Sequence, residues 1–542
     1  MGVTHEVFNQ TPPLVDYDMA AADPLLLPGL EREGAGWARD QVEALGRKMS
    51  TEEVYGWGFA ANENPPRLRT HDRYGCRSDT VEFHPAWHNL MDLATANGLH
   101  SIPWETEPGE GGFPARAALT FIVSQVEAGH FCPISMTCGA VPTIRLTREV
   151  AEEWERRIVS RKYDPAFRPA AEKTGVTIGM GMTEKQGGSD VRSNTTTAAP
   201  TGVDGEFSLT GHKWFMSAPM CDAFLVLAQA PGGLSCFLVP RFTPDGEVNA
   251  IRLQRLKDKL GNRSNASSEV EFDGAWGRLV GEEGRGVASI IEMVAHTRLD
   301  CITGSAALMR QAVTQAFHHA RHRSAFGAEL VAKPLMRNVL ADLEIETEAA
   351  VVLMMRVAGS FDRAALDDHE DLVKRLLTPV AKYWVTKRCS EVVREAMECL
   401  GGNGYVEESI MPRLYRESPV NAIWEGSGNV IALDVLRVLA REPAAVKELQ
   451  NELEEARGHD PRLDRALDAA FGSYDMSDAE AAGRIITERM ALAAAGVLLA
   501  EHASPEVFDA FAASRLDGHW GHLYGTLPSG LDLDAIIEPA IP

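Results

Sequence analysis

Gly181-Met182-Thr183-Glu184-Lys185-Gln186-Gly187-Gly188-Ser189-Asp190 is the stretch on which the fold turns. Before it, apolar residues recur at helical spacing. After it, the chain breaks into short runs rich in β-branched and aromatic residues. The stretch itself is polar and rich in glycine. Loops of this kind offer backbone N–H groups and hydroxyls to a flat polar ring or a phosphate, because small residues let a ligand come close. A plain strand-connecting loop has the same composition, so the loop alone leaves both readings open.

Working outward, residues 207–217, 223–230, 234–242 and 267–273 read as strands, separated by turns such as Pro231-Gly232-Gly233 and Pro244-Asp245-Gly246. In the run ending Lys213-Trp214-Phe215-Met216-Ser217, alternation puts Phe215 and Ser217 on one face. A ring could stack there and a hydroxyl donate, and half-buried strand packing is the other reading. Upstream, Val42, Leu45 and Met49, then Leu119, Ile122 and Val126, predict helices over about 38–175. Pro12, Pro13, Pro24 and Pro28 make residues 1–40 read as an extended arm. His84 and His88 lie four apart, but no third ligand accompanies them and Pro85 marks a helix start, so no metal is expected. Downstream, Val287, Ile291 and Val294, then Ala349, Leu353 and Val357, then Val380 and Trp384, restore the helical period. The predicted class is α+β, mainly α. It comprises an arm (1–40), a helical domain (41–180), a β-barrel or sandwich (181–282), a bundle of four long helices (283–440) and an extra helical domain (441–542).

A chain of 542 residues with net charge −24 can bury large cores. Its acidity argues against a surface attractive to nucleic acid or anionic lipid. The eight cysteines are scattered without Cys-x-x-Cys pairs, which suits reduced thiols in a cytoplasmic protein. No secretory leader and no membrane span are expected, since no apolar window reaches the required length.

Two further motifs lie in the bundle. Glu398-Cys399-Leu400-Gly401-Gly402-Asn403-Gly404-Tyr405 has three glycines after a helix, where a C-cap explains only one. Asn421-Ala422-Ile423-Trp424-Glu425-Gly426-Ser427-Gly428-Asn429 places a carboxylate in a glycine-bounded turn before a helix with Ile431, Val435 and Val438 on one stripe. Glu425 reads either as complementing the helix dipole or as a catalytic base.

Together these residues resemble the acyl-CoA dehydrogenase superfamily of flavoproteins. Its flavin loop, Gly-hydrophobic-Thr-Glu-x-x-x-Gly-Ser-Asp, is met from Gly181 to Asp190, and its second signature from Glu398 through Gly404 to Arg413 and Glu417. The resemblance implies FAD, with Met182, Thr183, Gly188 and Ser189 holding the flavin and its ribityl-pyrophosphate. Phe215, Met216 and Ser217 would line the ring. Arg323-Ser324-Ala325-Phe326-Gly327 matches the family's Arg-x-x-Phe-Gly, so Arg323 and Phe326, with Glu398, Gly401 and Gly402, would serve a neighbouring subunit's FAD. Ile423, Trp424, Ser427, Gly428 and Asn429 would line the dinucleotide. A homo-oligomer, a tetramer built as a dimer of dimers, follows from the same resemblance.

The implied chemistry is α,β-dehydrogenation of an acyl thioester, Glu425 taking the α-proton while the β-hydride passes to flavin N5. Arg298 matches the family's CoA-contacting Arg, although Ala295 stands where the family has an acid. Trp424 replaces the usual Tyr, which points to a slow or unusual dehydrogenase. No motif identifies the electron acceptor.

Val7-Phe8-Asn9-Gln10, Arg32 to Trp37, Phe83 to His88 and Val126-Glu127-Ala128-Gly129 are similar to the AidB subgroup of the family, which is tied to the alkylation response. This is the alternative function, with dehydrogenation weak or vestigial. A flavin-stabilised scaffold without catalysis is a third. The subgroup's extra C-terminal domain is associated with duplex DNA, but here residues 441–542 carry eight basic against nineteen acidic residues, and Arg437 and Arg441 are isolated near its start. DNA binding is not expected.

Overall fold

A computed structural model describes residues 4–472 and 478–542. In chain order the elements begin with α1 (Leu26–Arg32), α2 (Arg39–Met49), α3 (Glu52–Glu63), a hairpin of β1 (Arg67–His71) and β2 (Arg77–Glu82), α4 (Pro85–Ala96), α5 (Ile102–Glu105), α6 (Gly112–Ser124), α7 (Phe131–Ile144) and α8 (Arg148–Ile158). The strands β3 (Ile178–Gly181), β4 (Thr197–Pro200), β5 (Glu206–Ser217), β6 (Ala223–Ala230), β7 (Gly233–Pro240), β8 (Ile251–Leu256) and β9 (Ser267–Val280) follow. Next come α9 (Gly286–His322), the short strands β10 (Ser324–Ala325) and β11 (Ala328–Glu329), α10 (Pro334–Arg363), α11 (Asp368–Cys399), α12 (Gly402–Tyr405), α13 (Met411–Glu417) and α14 (Gly428–Arg441). The last helices used below are α15 (Pro443–Glu454), α16 (Pro461–Phe471), α17 (Ala479–His502) and α18 (Pro505–Phe511).

The chain divides into two compact units, each discontinuous in sequence: Met1–Tyr55, Thr106–Val126 and Arg298–Pro542 form a helical unit, and Gly56–Glu105 with Glu127–Thr297 form a barrel unit. In the barrel unit the strands run β3-β6-β4-β5-β9-β7, and β7 also pairs with β6 over Ala223–Ala230, which closes the path; β8 pairs with β9. Closure satisfies edges that an open sheet would expose. The register of β5 on β9 slips between Lys213 and Met216, so Trp214 and Phe215 sit at a bulge. His84 caps α4 by accepting from Ala86 N at 3.2 Å, with Pro85 at the first turn, and His88 bonds the Tyr163 hydroxyl at 2.8 Å.

In the helical unit α10 and α11 are the long central pair, and α17 packs on α10, α11 and α14. The C-terminal segment is fixed to α10 by Arg515, whose buried guanidinium pairs with Asp342 and Glu346. The extra C-terminal helices therefore belong to the same compact unit as the bundle.

Several expectations need correction. The arm, expected to be extended throughout, is helical over Leu26–Arg32. A β-hairpin interrupts the helical region where sequence period gave no sign of it. Three long helices stand where four were expected; Gly401, Gly402, Pro412 and Pro419 break the chain between α11 and the 14-residue α14. In α9 the buried stripe is Ile290 and Met293, and Ile291 faces outward.

Candidate functional site

In the barrel unit the polar loop is held from below by its own glutamate. Glu184 is fully buried and accepts from Lys213 Nζ at 2.8 Å, Thr196 N at 3.1 Å, Thr195 N at 2.7 Å, Thr195 Oγ1 at 3.0 Å and Gln186 Nε2 at 2.7 Å. Burial works against the charge, but the Lys213 ammonium and these donors outweigh it and hold the carboxyl far below its usual range. Burial pulls Lys213 down to about 8, and Glu184 opposes the shift. Backbone bonds then fix the rim: Trp214 N donates to Thr183 O at 2.8 Å and Asn194 Nδ2 to Met182 O at 2.9 Å. A Cβ on Gly188 would lie 2.6 Å from Thr183 Oγ1, so a side chain there would push into the loop.

Beside the loop, Phe215 is 51% exposed and Lys257 Nζ lies 3.2 Å from the Trp214 ring centroid. Ser217 Oγ bonds Ser267 Oγ at 3.1 Å. Met216 differs from its expected role: its side chain is fully buried in the barrel, so only its backbone can face a ligand. Ser189 is exposed on the loop. Deeper in this unit, buried Glu127 accepts from Ser264 Oγ at 2.7 Å, Asn62 Nδ2 at 3.0 Å and both His130 N and Nδ1. Burial raises its pKa, but His130 and the other donors prevail and bring it to about 2.

In the helical unit Glu425 takes a left-handed backbone, φ +57°, followed by Gly426 at +107°. A non-glycine residue there is strained by about 1–2 kcal/mol and persists only where neighbours impose it. The neighbours are two cations. Lys382, buried on α11, donates to the carbonyls of Asn421 (3.0 Å), Trp424 (3.0 Å) and Gly426 (2.8 Å). Arg298 donates through Nε to Glu425 O at 3.1 Å and pairs with Asp434 of α14 at 2.7 Å. Arg298 thus holds the turn to α14. Trp424 Nε1 bonds Asn421 Oδ1 at 2.9 Å, and Asn421 Nδ2 bonds Ser305 Oγ at 3.1 Å. The N-cap of α14 is Ser427, two residues beyond Glu425, so helix capping does not explain the glutamate.

A cavity of about 800 Å³ opens beside this turn and is lined by Ile423, Ser427, Gly428 and Asn429 together with Lys387 and Arg484. The remaining candidates face outward. Phe326 is 100% exposed in the two-residue turn between β10 and β11, with φ +51°, and Arg323 is tied to the Asn9 carbonyl. Gly401 has φ +58°, and neither Gly401 nor Gly402 has an atom within 4 Å of a notional Cβ, whereas Gly404 packs against Met397 O. Glu398 is exposed near Arg394.

Sequence reasoning missed Lys213, Lys382, Asp434, Lys387 and Arg484. The available signal was a charged residue inside an otherwise apolar stripe, as at Asp434 between Ile431 and Val435. Among the described residues no cluster of His, Cys, Asp and Glu could hold a metal, and no helix is long and apolar enough to cross a membrane. The residues fit a flavin dinucleotide in each unit: a rigid polar loop beside a half-exposed aromatic in one, a cationic cavity at a Ser-Gly-Asn turn in the other.

Comparison with known proteins agrees with this geometry. Residues 9–165 match the adaptive response protein AidB N-terminal domain, 179–275 the acyl-CoA dehydrogenase middle domain and 284–440 the acyl-CoA dehydrogenase C-terminal domain. The chain is 48% identical to the putative acyl-CoA dehydrogenase AidB of Escherichia coli K12, over 96% of this chain and 95% of that protein. It is 33% identical to acyl-CoA dehydrogenase family member 11 of Caenorhabditis elegans, over 77% of this chain and 69% of that protein. The solved structure of Caenorhabditis elegans ACDH-11 in complex with C11-CoA superposes with a TM-score of 0.83 at 28% identity, covering 99% of this chain and 93% of that one. The chain belongs to the acyl-CoA dehydrogenase superfamily, in the group that includes AidB, and the cofactor class that comes with membership is FAD.

Proposed function

We propose that the protein is an FAD-dependent oxidoreductase that dehydrogenates an acyl-CoA thioester between its α and β carbons, with Glu425 as the base. The observation that supports this most is the strained Glu425 turn, whose carbonyls are clamped by Lys382 and Arg298; strain imposed by buried cations is characteristic of working sites. FAD, when bound, supplies the hydride acceptor. The chain's own residues do the rest. Glu425 removes the α-proton, its backbone N–H is placed by the clamped turn to donate to the thioester oxygen, and Asn421 fixes the Trp424 indole that bounds the turn. The Glu184–Lys213 pair keeps the flavin loop in shape. A relative solved with C11-CoA favours a medium-length acyl chain as the first substrate class to try. Anaerobic mixing of the yellow protein with CoA thioesters of graded chain length tests this. Bleaching of the flavin by at least one of them is expected, and no bleaching by any would reject the dehydrogenase reading.

Exposed Phe326 and the open Gly401–Gly402 turn fit a second subunit that completes each FAD site, in a homotetramer or at least a dimer. Light scattering of the FAD-bound protein checks this, and a monomer of 59.1 kDa would contradict it.

A second reading, a part in the response to alkylation damage, is favoured by the similarity to AidB. It would not run through strong DNA binding. Arg437 pairs with Asp434, Arg457 with Glu454 and Asp468, Arg462 with Asp460 and Asp509, and Arg465 with Asp517, so these four arginines are locally neutralised. Affinity for duplex DNA at physiological salt should be no better than about 10⁻⁴ to 10⁻⁶ M by fluorescence anisotropy.

A further inference from the structure

Lys387 on α11 and Arg484 on α17 converge on one point, the first residue of α14. A Cβ added to Gly428 would lie 2.6 Å from Lys387 Cε, 2.7 Å from its Nζ and 3.1 Å from an Arg484 guanidinium nitrogen. The ends of both side chains therefore lie beside the Gly428 backbone. Both line the cavity of about 800 Å³, with Ser427 and Asn429 beside them. Ser427 makes no side-chain cap, so the first amides of α14 add their own positive end to the same place. Three positive groups meet there, and the two carboxylates that line the same cavity, Glu391 and Glu488, form no ion pair with Lys387 or Arg484. Among the described residues neither Lys387 nor Arg484 is paired with a carboxylate, although Glu488 lies one turn along α17 from Arg484 and lines the same cavity; Arg484 faces the Tyr383 hydroxyl instead. Burial and the nearby Arg484 charge both press Lys387 toward its neutral form. An arrangement that is unfavourable when empty becomes favourable when a compact polyanion enters.

We propose that Lys387 and Arg484 form a clamp for the diphosphate of the FAD dinucleotide, so that the C-terminal extension contributes directly to cofactor binding. Arg484 lies outside residues 284–440, the segment matched to the acyl-CoA dehydrogenase C-terminal domain. The extension is then part of the cofactor site and not only a covering layer. A planar guanidinium can take two phosphate oxygens at once, while the lysine supplies a point charge. The inference rests on the FAD reading above, and the experiment separates the two.

Apoprotein is titrated with FAD, ADP and adenosine by calorimetry, as wild type and as Lys387→Gln, Arg484→Gln and Arg484→Lys, with Arg457→Gln as a surface control and circular dichroism to confirm folding. Lys387→Gln and Arg484→Gln should each weaken FAD and ADP by at least about tenfold, the size expected of one charge-assisted bond. Arg484→Lys should recover part of the loss, adenosine should be unaffected, and affinity of the wild type should fall as salt rises. FAD binding equal to wild type in both glutamine variants would overturn the clamp while leaving the flavin reading intact. Wild type that binds ADP through these residues but never FAD would overturn the assignment of the clamp to FAD together with the flavin reading.

Discussion

Two signature carboxylates of this chain sit in glycine-flanked loops, and the protein treats them in opposite ways. Around Glu184 it satisfies the carboxylate: five donors converge on the two oxygens, the group is fully buried and it is held ionised. Around Glu425 it holds the backbone: Lys382 and Arg298 grip the carbonyls of residues 421 and 424–426, and the residue is forced to φ +57°. A carboxylate fastened through its oxygens is a structural part. One fastened through its neighbours' carbonyls keeps its position whatever its protonation state, which is what a base must do.

The largest effect that would break this contrast concerns rate. Glu425→Gln should lower substrate-driven flavin reduction by about 10²- to 10⁴-fold, the contribution of a general base, with FAD content and melting temperature nearly unchanged. Stopped-flow absorbance measures it, and equal rates would place the two glutamates in one class. The complementary change is Glu184→Gln, which leaves Lys213 buried with no carboxylate. Losing one partner of a buried pair costs about 3–5 kcal/mol. Denaturant unfolding should show that loss, while the reduction rate per bound flavin stays near wild type.

The sequence was informative where local chemistry dominates. The strand run of β5 lies within one residue of its expected start, the start of α4 follows from Pro85, and the turn before α14 follows from its glycines. What stayed hidden depends on contacts between segments far apart in the chain. Lys213 and Lys382 look like polar interruptions of apolar elements until Glu184 and the carbonyls of the Glu425 turn are brought to them. The same holds for Arg298, whose partner Asp434 lies 136 residues away. In α9, Ile291 shares the apolar period of Val287 and Val294 yet is exposed, because period alone does not tell a buried stripe from an exposed apolar residue.

A smaller effect is read from the pH dependence of stability. Glu127 titrates near 2 in the folded protein against a usual 4.5. A carboxyl whose folded pKa is depressed contributes stability that is fully present above the unfolded value and lost as pH falls through the folded one. The shift corresponds to about 3 kcal/mol, disappearing between roughly pH 4.5 and 2. Glu127→Gln should be less stable at neutral pH and lose less than wild type over that window in acid unfolding followed by fluorescence. Glu425→Gln should retain the wild-type acid profile, since it leaves Glu127 and its donors in place.

The smallest expected effect is the sharpest test of the strained turn. Glu425→Gly removes a side chain that costs about 1–2 kcal/mol in the left-handed region, because glycine has no Cβ to crowd the following carbonyl. Glycine also loses more freedom on folding, about 0.4–1 kcal/mol, which offsets part of the gain. The balance is a stabilisation of about 0–1.6 kcal/mol in a variant that has lost its base altogether. Lys382 and Arg298 donate to backbone carbonyls of the turn, and those bonds survive the substitution, while Lys382 loses the attraction of the Glu425 charge. Thermal unfolding of FAD-loaded protein should therefore show a midpoint at or slightly above that of wild type, alongside abolished flavin reduction. A midpoint clearly below wild type would mean that the Glu425 side chain is itself a structural anchor, and the distinction from Glu184 would fail.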